Sequence, residues 1–426
     1  MSEEFVLLGI PDAYGSIRGK ALRPDAFESA LRHGTVMTDL ILGLDPTDTP
    51  ITDYETFGIR TGAADLIVHP DAETLRDCSW RPGWRVCLAT PTWPDGSPCD
   101  VASREVFRKV IDDIAGLGHE VMSAIEYEIR LWDRDGNPMT SGISYSLSEI
   151  GSYERFLDEL VRAIDGLGVE LLAVHTEAGP GLLELNLGPR RGIASADGAV
   201  LVKLAVKQLA ASLGMRASFL AKTVPGEEGS SGHIHMSCWQ EERNAFAADD
   251  AAQPVPQVFA EAVAGVLEHM PAASLLMNPT INSYKRLVPG WFAPINATWG
   301  YENRSCAVRA VRSERPELWR FECRRPGADA NPYLALAALT AGMADGIRRS
   351  ASPPPPVEGD AYTLTDVPEL PGSLESALDA FRDDPVLQEA LGQRFSEYYV
   401  TSRRWELKAW RETVTDWERE RYERAV

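Results

Sequence analysis

The sequence predicts an α+β protein built from two unequal parts. Its first hundred residues alternate short apolar runs with turn-forming residues, a pattern typical of strands grouped around one helix. A cluster of turn formers, P-T-W-P-D-G-S-P-C-D at 91–100, interrupts this pattern. Beyond it, amphipathic helical segments alternate with β-branched segments. Because 426 residues suffice for two or three domains, we expect one domain over residues 1–100 and a second over 101–426.

The first part is expected to hold four strands and a helix. The apolar runs predict strands at 5–10, 36–42, 64–68 and 86–89, and the segment 24–33 is predicted to be helical.

The second part opens with a predicted helix at 103–117, where apolar residues recur with the helical period and Gly118 follows as a candidate C-cap. Strands are predicted at 121–131, 171–174, 182–187, 218–221 and 232–238. Further helices are predicted at 153–167, 197–213, 255–270, 332–348, 374–382 and 385–394, and one long helix from 396 towards 422.

The composition limits the kinds of molecule that this protein is expected to bind. The formal net charge of −21 argues against binding to nucleic acid or to an anionic membrane by general electrostatics. No apolar stretch approaches the length of a membrane span, and the first residues lack the features of a signal peptide. Six cysteines without C-x-x-C spacing indicate reduced thiols. We therefore expect a cytoplasmic protein that holds any anionic ligand locally.

A cationic stretch within this acidic chain is a candidate for such local binding. Between residues 282 and 324, five arginines lie among aromatic and β-branched residues: Arg286, Arg304, Arg309, Arg320 and Arg324. A guanidinium pairs with a phosphate or a carboxylate through two parallel hydrogen bonds. Each arginine alone is more often part of a surface ion pair, but the grouping predicts a pocket for phosphates or carboxylates.

Strand geometry places acids and bases on common faces, because residues i and i+2 of a strand point the same way. Glu126 and Glu128 share a face in I-E-Y-E-I, and a solvated face is the alternative interpretation of that pair. Glu177 and Glu184 bracket the turn A-G-P-G and would meet at one end of a hairpin. Two further sets share a face, namely His233, His235 and Ser237, and Arg320, Glu322 and Arg324.

These patterns together favour phosphoryl transfer. A lone His-x-His is weak evidence for a metal site. The combination of five glutamates, one histidine and five arginines is stronger evidence. Carboxylate oxygens with one imidazole suit Mg²⁺ or Mn²⁺, and two such ions beside arginines neutralise charge on a moving phosphate. Neither a Walker-type nor a G-x-G-x-x-G loop occurs, so a P-loop or Rossmann site is not supported.

The chain also resembles a known family. The motifs E-Y-E, E-A-G-P-G-L-L-E, G-S-S-G-H-I-H-M-S, N-P-T-I-N-S-Y-K-R-L-V-P-G, N-R-S and R-F-E-C-R-R-P-G-A-D-A-N-P-Y occur in the order found in glutamine synthetases. This resemblance covers about residues 118–346. It implies a β-grasp domain over 1–100 and a catalytic domain with a curved antiparallel sheet over 101–426. It also implies a dodecamer of two hexameric rings, with each active site between neighbouring subunits.

Roles for single residues follow from the same resemblance. It implies that Glu128, Glu177 and Glu184 hold one Mg²⁺ (or Mn²⁺), and that Glu126, His233 and Glu322 hold another. His235, Ser237, Arg309 and Arg320 would bind ATP, the co-substrate, and Arg304 would also face its phosphates. Gly229, Arg286 and Arg324 would bind glutamate, and Arg304 and Arg324 would act in catalysis. The implied reaction phosphorylates the γ-carboxylate of glutamate, after which an amine displaces the phosphate.

Departures from the family pattern point to the acceptor. Ammonia-using members have a glutamate two residues after K-R-L-V-P-G, whereas this chain has Phe292, which cannot accept a proton. The N-terminal aspartate of the ammonium site is not recognisable either. The chain therefore resembles the γ-glutamylamide synthetase branch, which joins glutamate to an organic amine. Leu182 and Glu228 also replace a glutamine and an asparagine, respectively, that are usual at their positions.

Two alternatives remain open at this point. One is an ordinary glutamine synthetase whose proton acceptor is Glu302 or an N-terminal aspartate. The other is a catalytically silent relative that serves as a scaffold or regulator.

Overall fold

The computed structural model describes residues 4–247 and 255–426 and confirms an α+β fold with two sheets. The first sheet has the strand order β2-β1-β6-β4-β3, with β5 beside β6. Its central strands β1 and β6 are parallel, and its other neighbours are antiparallel. The strands are β1 (Phe5–Pro11), β2 (Ile17–Leu22), β3 (Thr35–Thr38), β4 (Asp65–Pro70), β5 (Arg76–Asp77) and β6 (Trp84–Thr92), and helix α1 (Pro24–His33) follows β2.

Two predictions for this part need correction. The strand expected at 36–42 ends at Thr38, because Asp39–Gly43 forms a 3₁₀ turn whose cap is the Thr38 side chain. Strand β2 was not predicted, since its sequence I-R-G-K-A-L is largely solvent-exposed and lacks a buried apolar face.

The second sheet has ten strands in the order β14-β15-β16-β12-β7-β9-β8, with β10 and β11 on β7 and β13 on β12. Its described neighbours are antiparallel, except that β14 and β15 are parallel. The strands are β7 (Glu120–Trp132), β8 (Leu171–Thr176), β9 (Leu182–Leu187), β10 (Arg190–Arg191), β11 (Arg216–Ser218), β12 (Gly232–Gln240), β13 (Arg243–Asn244), β14 (Trp299–Tyr301), β15 (Val308–Val311) and β16 (Arg320–Cys323). The strand predicted at 218–221 is thus wrong beyond Ser218.

Ten helices belong to the described residues of this part, and several of them pack on the sheet. They are α2 (Ser103–Gly116), α3 (Leu147–Ile150), α4 (Glu154–Gly166), α5 (Ile193–Ser212), α6 (Gln257–Met277), α7 (Pro332–Arg348), α8 (Leu374–Arg382), α9 (Pro385–Leu391), α10 (Gln393–Glu412) and α11 (Asp416–Tyr422). The helix expected from 396 to 422 is two helices, because Thr415 and Glu418 form a capping box that starts α11. Helix α6 runs seven residues past its predicted end at 270.

Helices α6 and α7 form the centre of the helical layer. They approach closely at glycines, since a Cβ on Gly265 would lie 2.0 Å from the carbonyl oxygen of Gly342. The same helices share a charged cluster, in which the two ring nitrogens of His269 lie 2.7 Å from Asp384 Oδ2 and 2.9 Å from Asp345 Oδ2. These carboxylates outweigh the effect of burial and raise the pKa of His269 to about 8.

Helix α10 returns to the first sheet. The Tyr398 hydroxyl donates a hydrogen bond of 2.8 Å to the carbonyl oxygen of Leu42 in the 3₁₀ turn. Its ring also packs against Tyr54 and Phe57, with centroids 5.2 and 5.7 Å away. The C-terminal helices and the N-terminal sheet therefore form a continuous core.

All six cysteines are buried and unpaired, as the sequence indicated. Among the described helices, none combines the length and apolar character that crossing a bilayer requires.

Candidate active site

A cavity of about 720 Å³ opens against the ten-stranded sheet. Four strands and the turn after β8 supply its charged wall. All six residues predicted as metal ligands line it: Glu126, Glu128, Glu177, Glu184, His233 and Glu322.

Strand β7 contributes two carboxylates through the alternation of a strand. Glu126 and Glu128 line the cavity, while Ile125, Tyr127 and Ile129 are buried in the core on the opposite side. The pair therefore faces a cavity that the neighbouring strands also line.

Carboxylates crowd the part of the cavity around Glu128. Its side chain is buried, and Glu128 Oε2 accepts a hydrogen bond of 2.7 Å from the backbone N–H of Ser231. Burial, followed by the charges of Glu184 and Glu177, raises the pKa of Glu128 to about 8. A bound cation would remove this repulsion.

His175 lies between two of these carboxylates. Its Nδ1 is 3.1 Å from Glu177 Oε1, and its Nε2 is 3.1 Å from Glu184 Oε1. Asn186 Nδ2 donates to the same oxygen of Glu184 at 2.8 Å, and the Tyr145 ring stacks on His175 with centroids 4.2 Å apart. Burial opposes a charge on His175, but the hydrogen bonds to Glu177 and Glu184 raise its pKa to about 10.

Strand β12 places two histidines beside Glu126. His235 Nε2 lies 2.9 Å from Glu126 Oε1, and Arg320 Nε donates to His235 Nδ1 at 3.1 Å. His233 Nδ1 lies 3.7 Å from Glu126 Oε2 and 3.6 Å from Glu322 Oε1. His233 Nε2 is buried and has no hydrogen-bond partner in the described part of the chain.

Two arginines hold Glu322 ionised. Arg309 donates to Glu322 Oε2 at 3.0 Å, and Arg324 donates to Glu322 Oε1. Burial acts against ionisation, but Arg324 and the neighbouring histidines lower the pKa of Glu322 to about 2. Arg309 also pairs with Glu302 at 2.7 Å.

Arg286 forms part of the cavity floor. Its guanidinium is buried and donates to Ser231 Oγ at 3.1 Å and to the carbonyl oxygen of Arg325 at 2.5 Å. The backbone of Gly229 passes so close to Arg286 that a Cβ atom added to Gly229 would lie 2.5 Å from Arg286 Cγ. Only glycine fits there without displacing Arg286.

Aromatic side chains form another part of the wall. Trp291, Phe292 and Tyr145 line the cavity, and Lys222 Nζ lies 4.2 Å from the centre of the Trp291 ring. The Phe292 ring is 54% exposed, and its backbone has φ +52°, in the left-handed region. Glu228 also lines the cavity and has no ion-pair partner within 4–247 and 255–426.

The donor atoms suit divalent cations. Three groups each bring ligand atoms within 4.8 Å of one another: Glu126, Glu184 and His233; Glu126, His235 and Glu322; and His175, Glu177 and Glu184. The unpartnered His233 Nε2 and the raised pKa of Glu128 are both features that a metal would satisfy. The residues present therefore fit a metal centre of hard, oxygen-rich ligands.

Most predicted site residues meet in this cavity. Besides the six acids and bases, it is lined by Gly229, Arg286, Phe292, Arg304, Arg309 and Arg324. His235, Ser237 and Arg320 are not among its lining side chains, although His235 contacts Glu126. Leu182 is fully buried and does not line the cavity, unlike Glu228.

Sequence reasoning missed His175, Asn186 and Tyr145. His175 and Asn186 lie two residues before Glu177 and two after Glu184, so the rule that located the glutamates on strand faces would have found them. No local signal marks Tyr145.

Comparisons with known proteins show which family the chain is similar to. The family model described as the glutamine synthetase catalytic domain matches residues 100–422. A glutamine synthetase of Thermus thermophilus is 33% identical over 439 residues, covering 98% of this chain and 95% of its own. A γ-glutamylethanolamide synthetase of Streptomyces coelicolor is 33% identical over 427 residues, covering 97% and 91%. The solved structure described as apo GmaS without ligand superposes with a TM-score of 0.87 at 26% identity, covering 99% and 97%.

Proposed function

The chain belongs to the glutamine synthetase family of ATP-dependent carbon–nitrogen ligases, and on that premise we propose that it joins glutamate to an organic amine. The product would be a γ-glutamyl amide, formed through a γ-glutamyl phosphate.

Phe292 carries this proposal. At the position where ammonia-using members have a proton-accepting glutamate, the cavity wall has a half-exposed phenyl ring, next to Trp291 and near Tyr145. An apolar wall favours an amine that bears carbon and gives ammonium no counter-charge at that point. A second cavity of about 710 Å³ shares Phe292 and Arg304 with the first, so a substituent on the amine has space beyond the ring.

The charged wall fits the remaining substrates. Arg286 and Arg324, with Gly229 beside them, are placed to bind the carboxylates of glutamate. Arg304 lines the cavity without a side-chain hydrogen bond to any described residue, which leaves its guanidinium free for a phosphate. ATP would be bound by side chains of β12, β15 and β16, namely His235, Ser237, Arg309 and Arg320.

We propose that Mg²⁺ or Mn²⁺ ions are held by the six acidic and histidine ligands, in the two groups that the family resemblance implies. Such ions would neutralise the charge that develops on the transferred phosphoryl group. Through its contact with both Glu177 and Glu184, His175 orients these carboxylates, and Asn186 donates a further hydrogen bond to the Glu184 oxygen that His175 contacts.

The chemistry then needs two displacements. The γ-carboxylate of glutamate attacks the terminal phosphorus of ATP, and ADP leaves. The amine nitrogen next attacks the acyl carbon, phosphate leaves, and the proton lost by the nitrogen goes to the departing phosphate, which gives the amide and hydrogen phosphate. Arg304 and Arg324 would stabilise the charge on the phosphate in both steps.

Ordinary ammonia-dependent synthesis is the second candidate, because the Thermus thermophilus relative is as similar as the amine-using one. Its proposed proton acceptor, Glu302, is paired with Arg309 and also accepts a hydrogen bond of 3.0 Å from the backbone N–H of Arg312. These contacts leave Glu302 poorly placed to take up a proton.

The test is a panel of acceptors. Purified protein is given Mg²⁺, ATP and glutamate with ammonia, methylamine, ethanolamine, isopropylamine or putrescine, and phosphate release and product mass are followed. An organic amine should have the highest kcat/KM, with a product mass equal to glutamate plus the amine minus water. Ammonia as the best substrate would refute the proposal, and absence of ATP turnover with every amine would instead support a silent relative.

We also propose the assembly that the family resemblance implies, a dodecamer of two hexameric rings of two-domain subunits divided near residue 100. Light scattering of the purified protein gives its mass directly, and a monomeric mass would contradict this assembly.

A further inference from the structure

A third cavity lies where the first sheet meets the second part of the chain. It has a volume of about 250 Å³ and is lined by the segment around β5, by α2 and by the start of α5. Four arginines reach it: Arg76, Arg104, Arg108 and Arg190. Such a concentration of guanidiniums is unusual in a chain with a net charge of −21.

The carboxylates in this cavity are largely engaged by one of the four. Arg104 donates to both oxygens of Asp197 at 2.9 Å and to Asp71 Oδ2 at 2.7 Å. Asp197 also accepts from the Tyr333 hydroxyl at 2.6 Å. This buried network has one guanidinium for two carboxylates, so it retains one negative charge, and Asp197 offsets part of the charge of Arg190.

Arg76 and Arg190 have no carboxylate partner. Arg76 donates only to backbone carbonyl oxygens, among them that of Leu167 at 3.1 Å. The guanidinium of Arg190 makes no hydrogen bond or ion pair with any residue of 4–247 or 255–426, and it packs over the backbone of Gly198. Burial, followed by repulsion from Arg76, lowers the pKa of Arg190. A partly desolvated, unpaired guanidinium beside a second one is costly, and an anion would remove that cost.

Arg108 completes the basic side of the cavity. Its Nε lies 3.4 Å from Glu105, but its side chain remains 44% exposed and is long enough to turn inward. Glu73, an exposed side chain, also lines the cavity and is not engaged by Arg104. The lining thus has four arginines against three carboxylates, and two of the arginines, Arg76 and Arg190, make no ion pair with a described residue.

We propose that this cavity binds a small dianion, either a phosphate or a short dicarboxylate, between the guanidiniums of Arg76 and Arg190 with Arg108 at the rim. The site is separate from the substrate cavity, since the two share no lining residue.

The location links the ligand to the catalytic sheet. Strand β10, which carries Arg190, pairs with β7, and Arg190 lies opposite Ser123, three residues before Glu126. Arg76 belongs to the first sheet. A dianion held by both arginines would therefore join the two sheets and should stabilise the folded protein by RT ln(1 + c/Kd), where c is the free concentration of the dianion.

The test is isothermal titration of the full-length protein with inorganic phosphate and with succinate at low ionic strength, with acetate and chloride as monoanion controls. Arg190→Gln removes a guanidinium that packs on Gly198 but makes no hydrogen bond or ion pair with the described residues, so folding should be unaffected, and circular dichroism checks this. We expect binding of the preferred dianion to weaken about tenfold or more, because a charge-assisted hydrogen bond pair is lost. Arg162→Gln, a change at an exposed arginine paired with Glu159, should leave binding unchanged.

A second variant separates this site from the substrate cavity, which also holds arginines. Arg304→Gln should leave the affinity that depends on Arg190 intact. The proposal is overturned if Arg190→Gln binds both dianions as the wild type does, if Arg304→Gln abolishes all binding, or if no dianion binds at millimolar concentration. Since binding is read without turnover, this result is independent of the acceptor specificity proposed above.

Discussion

Restoring a carboxylate at position 292 should shift the enzyme towards ammonia. The Phe292 ring is 54% exposed, so about half of its surface contributes to the apolar wall. Full burial of such a ring is worth roughly 1.5–3 kcal/mol. Since only about half of the ring is involved, removing it should cost an organic amine about 1 kcal/mol of binding, or about fivefold in kcat/KM. A carboxylate that receives a hydrogen bond from ammonium should contribute roughly 1.5–3 kcal/mol for ammonia.

For Phe292→Glu, the ratio of kcat/KM for ammonia to that for the best organic amine should therefore rise by about two orders of magnitude. Initial rates of phosphate release with each acceptor give this ratio. Phe292→Gln has a similar shape without the charge and should show only the loss for the organic amine. Val414→Glu adds the same charge at a position that is 62% exposed and outside the cavity, and should change nothing. A ratio within threefold of the wild type in Phe292→Glu would show that the ring does not select the acceptor.

Three further predictions concern the metals, the glutamate site and pH. Glu128→Gln should abolish turnover and remove most of the rise in melting temperature that Mg²⁺ gives the wild type; an equal rise in the variant would exclude Glu128 as a ligand. Gly229→Ala should displace Arg286 and lower kcat/KM for glutamate by roughly 10- to 100-fold, whereas Gly116→Ala, where a Cβ meets nothing within 4 Å, should not. The pKa of His269 is raised to about 8 in the folded protein, whereas it is near 6.5 in the unfolded chain. The positive charge of His269 therefore stabilises the fold fully at pH values below 6.5, and this contribution is lost as the pH rises through 8. Urea unfolding should show a decrease of about 1–2 kcal/mol between pH 6 and 9 that is absent in His269→Gln, and identical pH profiles would contradict this assignment.

Local periodicity predicted much of the sheet that carries the site. Strand alternation alone placed Glu126 and Glu128 on one side of β7, because the direction of a side chain in a strand is a local property. The helices at 24–33, 332–348 and 374–382 were predicted with the bounds that the structure has, since each has a clear start and end in the sequence. The sequence signal for the break before α11 is also local, since it is the capping box of Thr415 and Glu418, but the prediction did not use it.

Features that depend on tertiary contacts were not accessible in this way. Nothing near Phe292 in the sequence indicates its left-handed backbone. Likewise, Arg309 on β15 pairs with Glu322 on β16 and with Glu302 just after β14, and the sequence does not specify the register of these strands. The grouping of ligand atoms around Glu126 depends on that register too.

The hydrogen bond between Tyr398 and Leu42 has a consequence for biosynthesis. The two residues are 356 positions apart, so a ribosome adding roughly 5–20 residues per second needs about 20–70 s between making one and making the other. Throughout that interval the nascent 3₁₀ turn, with Tyr54 and Phe57 beside it, lacks the helix that covers it. Chaperones that hold exposed aromatic surfaces should therefore engage this chain early in translation and release it only after α10 has emerged.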